Sequence, residues 1–203
     1  MAPSRSSRAL GLGLLLAAAA PPALAQTVAA PADDTYPVDV TPPAGTHYPC
    51  ALTALPRDLP GIPPPERTYV NHAYTRILRA TQAKLVLLKA LEANAGLPAA
   101  LAAYHEAIAL QVARLANEAP PAGLEAFHAD LLAAVALQEH FFDAAVPLRQ
   151  SGKGMAEVYA IPEGRQASGR LIAAWTKMQA RYPTWPAETR NSIYHHLCAL
   201  DLF

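Results

Sequence analysis

Residues 70–88 read VNHAYTRILRATQAKLVLL, and their pattern sets the fold class. Apolar or small side chains recur there at steps of three and four residues, the repeat of a helix with one buried face. The stripe consists of Val70, Tyr74, Ile77, Thr81, Leu85 and Leu88. The segment therefore predicts a long amphipathic helix, which ends by Gly96 and needs other helices to cover its apolar face.

The same spacing returns in the segments that follow, which are separated by prolines and glycines. We expect further helices over residues 98–120, 123–149 and 162–182, and a short helix after Pro186. Pro147 is expected to kink or end the third helix, and residues 155–161 are expected to form a short strand or turn. Because short connections favour antiparallel neighbours, the sequence predicts an all-α fold, an up-down antiparallel bundle of four main helices plus a short C-terminal helix.

A proline-rich arm precedes this bundle. Residues 26–66 contain ten prolines, which cannot donate to a helix or sheet hydrogen-bond ladder, so the arm is predicted to be extended and partly disordered. Residues 67–203 form the predicted bundle domain. Residues 48–65 are expected to lie along the bundle, held by Cys50, Leu52, Leu55, Leu59 and Ile62.

Residues 1–25 have the features of a signal peptide. Arg5 and Arg8 precede an apolar run over residues 9–20, and Ala23-Leu24-Ala25 places small residues before a cleavage site at Gln26. The run is too short to cross a bilayer as a helix. The sequence therefore predicts an exported, soluble protein of the periplasm or the extracellular medium, with no membrane span once the signal is removed.

Composition narrows the class of partner. The chain is 52% hydrophobic, which excludes a disordered protein, and its formal net charge of zero argues against a nucleic-acid partner. Two cysteines are too few for a disulfide scaffold or a four-thiolate metal site. In an oxidising compartment, Cys50 and Cys198 are expected to form one disulfide that ties the arm to the last helix.

Histidines provide the candidate metal ligands. His105, His128 and His196 touch the apolar stripes of their helices, whereas the other helical histidines fall on polar faces. Glu125 and His128 have the i, i+3 spacing of carboxylate-bridged di-iron bundles, but the second pair and the further glutamates of that plan are absent. We therefore assign no metal or other cofactor, and these four residues remain the candidate ligands of an alternative hypothesis.

Two other regions are candidate sites. The loop at residues 152–162 borders one end of the bundle. The aromatic residues Trp175, Trp185 and Phe203 lie near the C-terminus, where Trp185 between prolines and Phe203 near the chain end are candidates for an exposed interaction surface. No nucleophile lies in a hydrolase motif, so no catalytic residue is assigned.

These observations favour an exported binding or interaction module of the cell envelope, with an unidentified protein or small-molecule partner. The alternative is a histidine-using metal-binding bundle for transport or storage. A third interpretation is an enzyme, which would require a pocket that holds at least two ionisable groups with perturbed pKa values.

Overall fold

The computed structural model describes residue 44 and residues 58–201, apart from the side chain of Ala80. The described residues belong to one compact unit, residues 32–203. They form six helices and no strand: α1 (Pro64–Ala93), α2 (Leu97–Ala116), α3 (Glu125–Gln150), α4 (Met155–Tyr159), α5 (Pro162–Arg181) and α6 (Ala187–Leu200). The prediction of an all-α fold is therefore confirmed for the described residues.

Proline and left-handed residues set the helix boundaries. Proline occupies the first turn of α1, α2 and α5, where its missing N–H costs no helical hydrogen bond. The α1 helix ends at Asn94, which has a φ of 51° and donates its N–H to the carbonyls of Ala90 and Leu91. Gly96, with a φ of 66°, then turns the chain into α2.

The long helices alternate in direction. Three contacts between polar groups join the early part of one helix to the late part of its neighbour: Arg76 with Arg114, His105 with Asp143, and Asp130 with Lys177. These contacts make α2 antiparallel to α1, α3 antiparallel to α2, and α5 antiparallel to α3. The up-down order that the short connections predict is thus the observed one.

The α6 helix lies between α5 and α1 and closes the ring of helices. At one end of this seam, Glu66 of α1 accepts hydrogen bonds from Arg181, at 2.6 Å, and from the Tyr182 hydroxyl. Burial acts to raise the pKa of Glu66, but these two hydrogen bonds outweigh it and lower the pKa. At the other end, the Lys84 ammonium of α1 donates to the Ala199 carbonyl at 3.0 Å. The short C-terminal helix is therefore an integral wall of the bundle.

The core consists of two hydrophobic clusters, one toward each end of the bundle. The first includes the large side chains Tyr74, Phe127, Met178 and Trp185, and Leu59 and Ile62 from the segment before α1. The second includes Leu91, Tyr104, Phe141 and Phe142. Burial of Leu59 and Ile62 confirms that this part of the arm lies on the bundle.

Two local predictions are wrong, and a third, that Pro147 kinks or ends α3, is wrong for the helix end and untested for the kink. Residues 155–161 were expected to form a short strand or turn, but Met155–Tyr159 is the helix α4, whose buried Val158 packs into the second cluster. Pro147 does not end α3, because it lies on an exposed face where the loss of one helical hydrogen bond is tolerated close to the helix end. The α1 helix begins at Pro64, inside the predicted arm of residues 26–66.

Other predictions lie outside the described residues. These are the signal peptide at residues 1–25, most of the arm, Cys50 and Phe203. Among the helices that the structure describes, α3 alone is long and apolar enough to cross a membrane. A core helix of a water-soluble protein meets the same criterion, and α3 packs against α2 and α5.

Candidate functional site

The predicted metal ligand His105 is engaged by two carboxylates. Its Nε2 lies 2.8 Å from Asp143, and its Nδ1 lies 3.8 Å from Glu139. All three side chains are partly exposed at the interface of α2 and α3. Glu139 and Asp143 are therefore the partners of a histidine between two helices, an arrangement that their one-turn spacing on α3 permits.

The other three candidate ligands have separate partners. The His128 Nδ1 is hydrogen-bonded to the Tyr69 hydroxyl at 2.6 Å, and burial lowers the pKa of this histidine. The buried His196 donates from Nδ1 to the Ser192 carbonyl at 2.6 Å. Glu125 accepts a hydrogen bond from the Gly123 N–H at 2.8 Å, at the start of α3.

These partners place the four candidate ligands in different environments. Within residue 44 and residues 58–201, no group of three or more His, Cys, Asp or Glu side chains is arranged to hold a metal ion. The structure therefore offers no geometric support for the metal-binding alternative in that part of the chain.

A buried polar layer surrounds Lys84, and none of the sequence-based predictions includes it. Lys84 is 2% exposed, and its ammonium donates to the carbonyls of Ala199 and Asp201, each at 3.0 Å. Gln138 of α3 donates to the neighbouring Leu200 carbonyl. These side chains satisfy carbonyls at the end of α6 that have no partner within the helix.

A sequence signal for this layer was present. Lys84 lies seven residues after Ile77, and Gln138 lies seven residues after Leu131, so both polar residues occupy positions on the apolar stripes. A long polar side chain at such a position must find partners inside the protein, because burying it unpaired is costly. The apolar stripe shows that Lys84 and Gln138 are buried. Which groups they pair with, the carbonyls at the end of α6, depends on tertiary packing.

Lys84 borders a small internal cavity. Thr81, Tyr104, Val135 and Gln138 are among the other residues that line it, and its volume is about 10 Å³. Burial lowers the pKa of Lys84 to about 7, an effect that the Asp201 carboxylate opposes, and burial raises the pKa of Tyr104. These are two perturbed ionisable groups, as the enzyme interpretation requires. However, the cavity has room for about one water molecule, so it does not accommodate a substrate.

A groove with a mixed polar and apolar lining lies at the surface between α5 and α6. The residues that line it are Leu171, Ile172, Trp175, Tyr194, Leu197, Cys198 and Asp201. Its volume is about 190 Å³. Pockets for small ligands are usually larger, about 300–1,000 Å³, so the groove is suited to a few side chains of an extended segment.

Aromatic rings form a row along this groove. The Trp175 ring contacts the Tyr194 ring edge-on, with centroids 5.5 Å apart, and stacks on Trp185 at 5.6 Å. Trp185 is 7% exposed and its ring also packs against Tyr182, so of the two interpretations open for this residue, exposed surface or core packing, the structure has core packing. Trp175 is thus the predicted aromatic residue that reaches the surface groove.

Two exposed apolar side chains make this surface unusual. Ile172 is 64% exposed and Tyr194 is 50% exposed, and both line the groove. Ile172 follows Leu171 directly and therefore lies about 100° away from it around the helix, outside the buried stripe. A large apolar residue outside the buried stripe of a helix is a sequence signal for an exposed apolar surface, and the predictions for α5 did not use it.

The other predicted regions offer less for recognition. In the loop at residues 152–162, the Gly154 N–H donates to Glu157 at 3.0 Å, which closes the first turn of α4. A broader depression of about 590 Å³ lies between α3 and α5, but alanines and Gly169 form much of its lining. Small side chains offer few anchors, so the aromatic groove is the candidate functional site.

Cys198 forms part of the groove wall and is partly buried. The described part of the chain contains no free cysteine. The expected partner, Cys50, lies outside the described residues, so the Cys50–Cys198 disulfide stays a prediction. If it forms, it fastens the proline-rich arm directly to this groove.

No protein-family model, no curated protein and no solved structure matches this chain, so its function has to be argued from its own residues.

Proposed function

We propose that this protein is an exported interaction module that binds an extended, proline-containing peptide segment in the groove between α5 and α6. The observation that carries the proposal is the groove surface formed by the exposed side chains of Ile172 and Tyr194 together with the partly buried ring of Trp175. Exposed contiguous apolar surface on a folded domain often marks an interaction site. Arg5, Arg8 and the apolar run at residues 9–20 support the exported location.

The chemistry of the groove favours an extended ligand with prolines. Proline-rich segments adopt a preformed polyproline helix, which loses little conformational entropy on binding and docks in aromatic-lined grooves. Trp175 and Tyr194 supply ring faces inclined by 61° to each other for such contacts, with centroids 5.5 Å apart. The Asp201 carboxylate lines the groove and accepts a hydrogen bond from the Ser168 hydroxyl, which fixes the position of the carboxylate.

A peptide titration tests the proposal. The probe is a synthetic peptide with the sequence of residues 47–57, HYPCALTALPR, with serine in place of cysteine and a fluorescent label. Fluorescence anisotropy of the peptide is measured with the wild-type chain and with a chain carrying Leu52→Asp and Leu55→Asp. These substitutions prevent the chain's own copy of the segment from competing with the peptide. Saturable binding is expected to the substituted chain, whether or not the wild-type chain also binds.

Two surface variants in the Leu52→Asp/Leu55→Asp background show where the peptide binds. Ile172→Asp places a charge in the groove and is expected to weaken binding at least about tenfold, since burying an unpaired charge is costly. Leu110→Asp changes a similarly exposed residue, 52% exposed, on α2 and is expected to leave the affinity unchanged. Absence of saturable binding to both chains, or equal effects of the two variants, would refute the proposed function.

A further inference from the structure

We infer that the groove has a resident ligand in the protein itself, the arm segment at residues 50–57, which competes with any external peptide. This inference rests on the proposed function of the groove and adds how access to it is controlled. Three observations support the inference: the contact of residues 59–62 with the start of α6, the position of Cys198 in the groove, and the apolar pattern of the arm sequence.

The chain reaches the bundle at the start of α6. Gly61 has a φ of 83° and packs so closely that an added Cβ would lie 2.9 Å from the Cα of Trp185. Leu59 and Ile62 are buried in the same core cluster as Trp185. The arm therefore leaves the described structure beside Trp185, which directly precedes the first turn of α6 and stacks on Trp175.

The predicted disulfide fixes the other end of the segment. Cys198 lies near the end of α6 and lines the groove. From Ala187 to Cys198 the helix rises about 17 Å at 1.5 Å per residue. Residues 59–62 form a turn that is closed by the Ile62 N–H to Leu59 carbonyl hydrogen bond. The chain from Cys50 to Asp58 spans up to about 25 Å as a polyproline helix, so it is long enough to connect the two ends along α6.

The sequence of the segment fits this path. A polyproline helix has three residues per turn, so residues three apart lie on the same edge. Pro49, Leu52 and Leu55 follow that spacing and give the segment one apolar edge. An apolar edge of this kind complements a narrow groove lined by Ile172, Trp175 and the side chains of the α6 face.

Attachment at both ends makes the arm an effective competitor. A ligand tethered by a short linker is present at an effective concentration of about the millimolar range. If the free segment binds with a dissociation constant of about 0.1 mM, the tethered arm lowers the apparent affinity for an external peptide by about tenfold. Weakening the arm by Leu52→Asp and Leu55→Asp should therefore tighten external binding by about that factor.

Photo-cross-linking tests where the arm lies. In the full, oxidised chain, Ile172 is replaced by p-benzoylphenylalanine, and Leu110 is replaced likewise in a control chain. After irradiation and proteolysis, mass spectrometry should find position 172 joined to residues 50–57 and position 110 not joined to them. The Leu52→Asp/Leu55→Asp chain should give at least fivefold less of this product while its mass still shows one disulfide.

The outcomes separate this inference from the proposed function. No product between position 172 and residues 50–57, or an equal yield from the Asp-substituted arm, overturns the inference. Equal affinity of the labelled peptide for the wild-type and Asp-substituted chains also overturns it, while the proposed function stands. If the cross-link forms but neither chain binds the peptide, the arm is a ligand of its own groove and the proposed external binding fails.

Discussion

Lys84 should make the stability of the protein depend on pH in a defined direction. Its pKa is 10.5 without the protein environment, and burial lowers it to about 7 in the fold. Between these two values, the unfolded chain binds a proton that the folded chain does not bind, so the free energy of unfolding rises with pH. Below about pH 7 both states are protonated, and this contribution is at its lowest and constant.

The magnitude follows from the two pKa values. When one state is protonated and the other is not, the free energy of unfolding changes by about 1.36 kcal/mol per pH unit. Since Lys84 is half protonated in the fold near pH 7, its contribution should increase by about 2 kcal/mol between pH 7 and about pH 9. The buried tyrosines, whose pKa values burial raises, titrate above this window.

Urea unfolding followed by tryptophan fluorescence at several pH values measures this effect. Lys84→Met removes the titrating group and keeps a long apolar stem, so the difference between wild type and variant should move by about 2 kcal/mol in favour of the wild type as pH rises to about 9. Lys89→Met on the same helix is the control, since the Lys89 side chain is 43% exposed. Parallel profiles for wild type and Lys84→Met would show that Lys84 stays charged in the fold, and the reasoning would be wrong.

Three further predictions concern other side chains. Tyr104→Phe should leave the free energy of unfolding unchanged or raise it by about 1 kcal/mol, because the buried Tyr104 hydroxyl has no hydrogen-bond partner among residues 58–201; a clear loss in urea unfolding would contradict this. Asp130→Asn should lower the free energy of unfolding by about 2 kcal/mol, because this residue is only 3% exposed and forms ion pairs with Arg170 and Lys177. Asp143→Asn, which removes a carboxylate from an exposed pair with His105, is the control and should change it by less than about 1 kcal/mol. Equal losses in the two variants would show that burial does not decide the contribution of these pairs. Native mass spectrometry of chain purified without reductant should give a mass two hydrogens light, and Cys50→Ser should lower stability by up to about 5 kcal/mol; an unchanged mass would exclude the disulfide.

The positions of the helices were predictable because helix formation depends on short-range chemistry. The stripe from Val70 to Leu88, the prolines at helix starts and Gly96 after α1 all act within a few residues, and the structure follows them. The prediction failed at residues 155–161, where five residues are too few to show a helical repeat. There, the burial of Val158 against the second cluster holds a single short helix that its own sequence does not specify.

The candidate sites could be predicted only in part, because they depend on which helices become neighbours. The sequence identified His105 and Trp175, but only packing pairs His105 with Asp143 of α3 and sets Trp175 beside Tyr194 of α6. Neither partner is marked by spacing, since each lies on another helix. The contact distance is decided by how those helices dock.

The amphipathic helices follow from the local sequence, since the information for an apolar face lies in residues three and four apart. The place of α6 between α5 and α1, where Lys84 and Gln138 satisfy the carbonyls at its end, depends instead on tertiary packing. That placement creates both the buried polar layer and the aromatic groove. Its physical reason is the need to pair buried carbonyls and cover the open seam of the bundle, a requirement that arises only once distant segments meet.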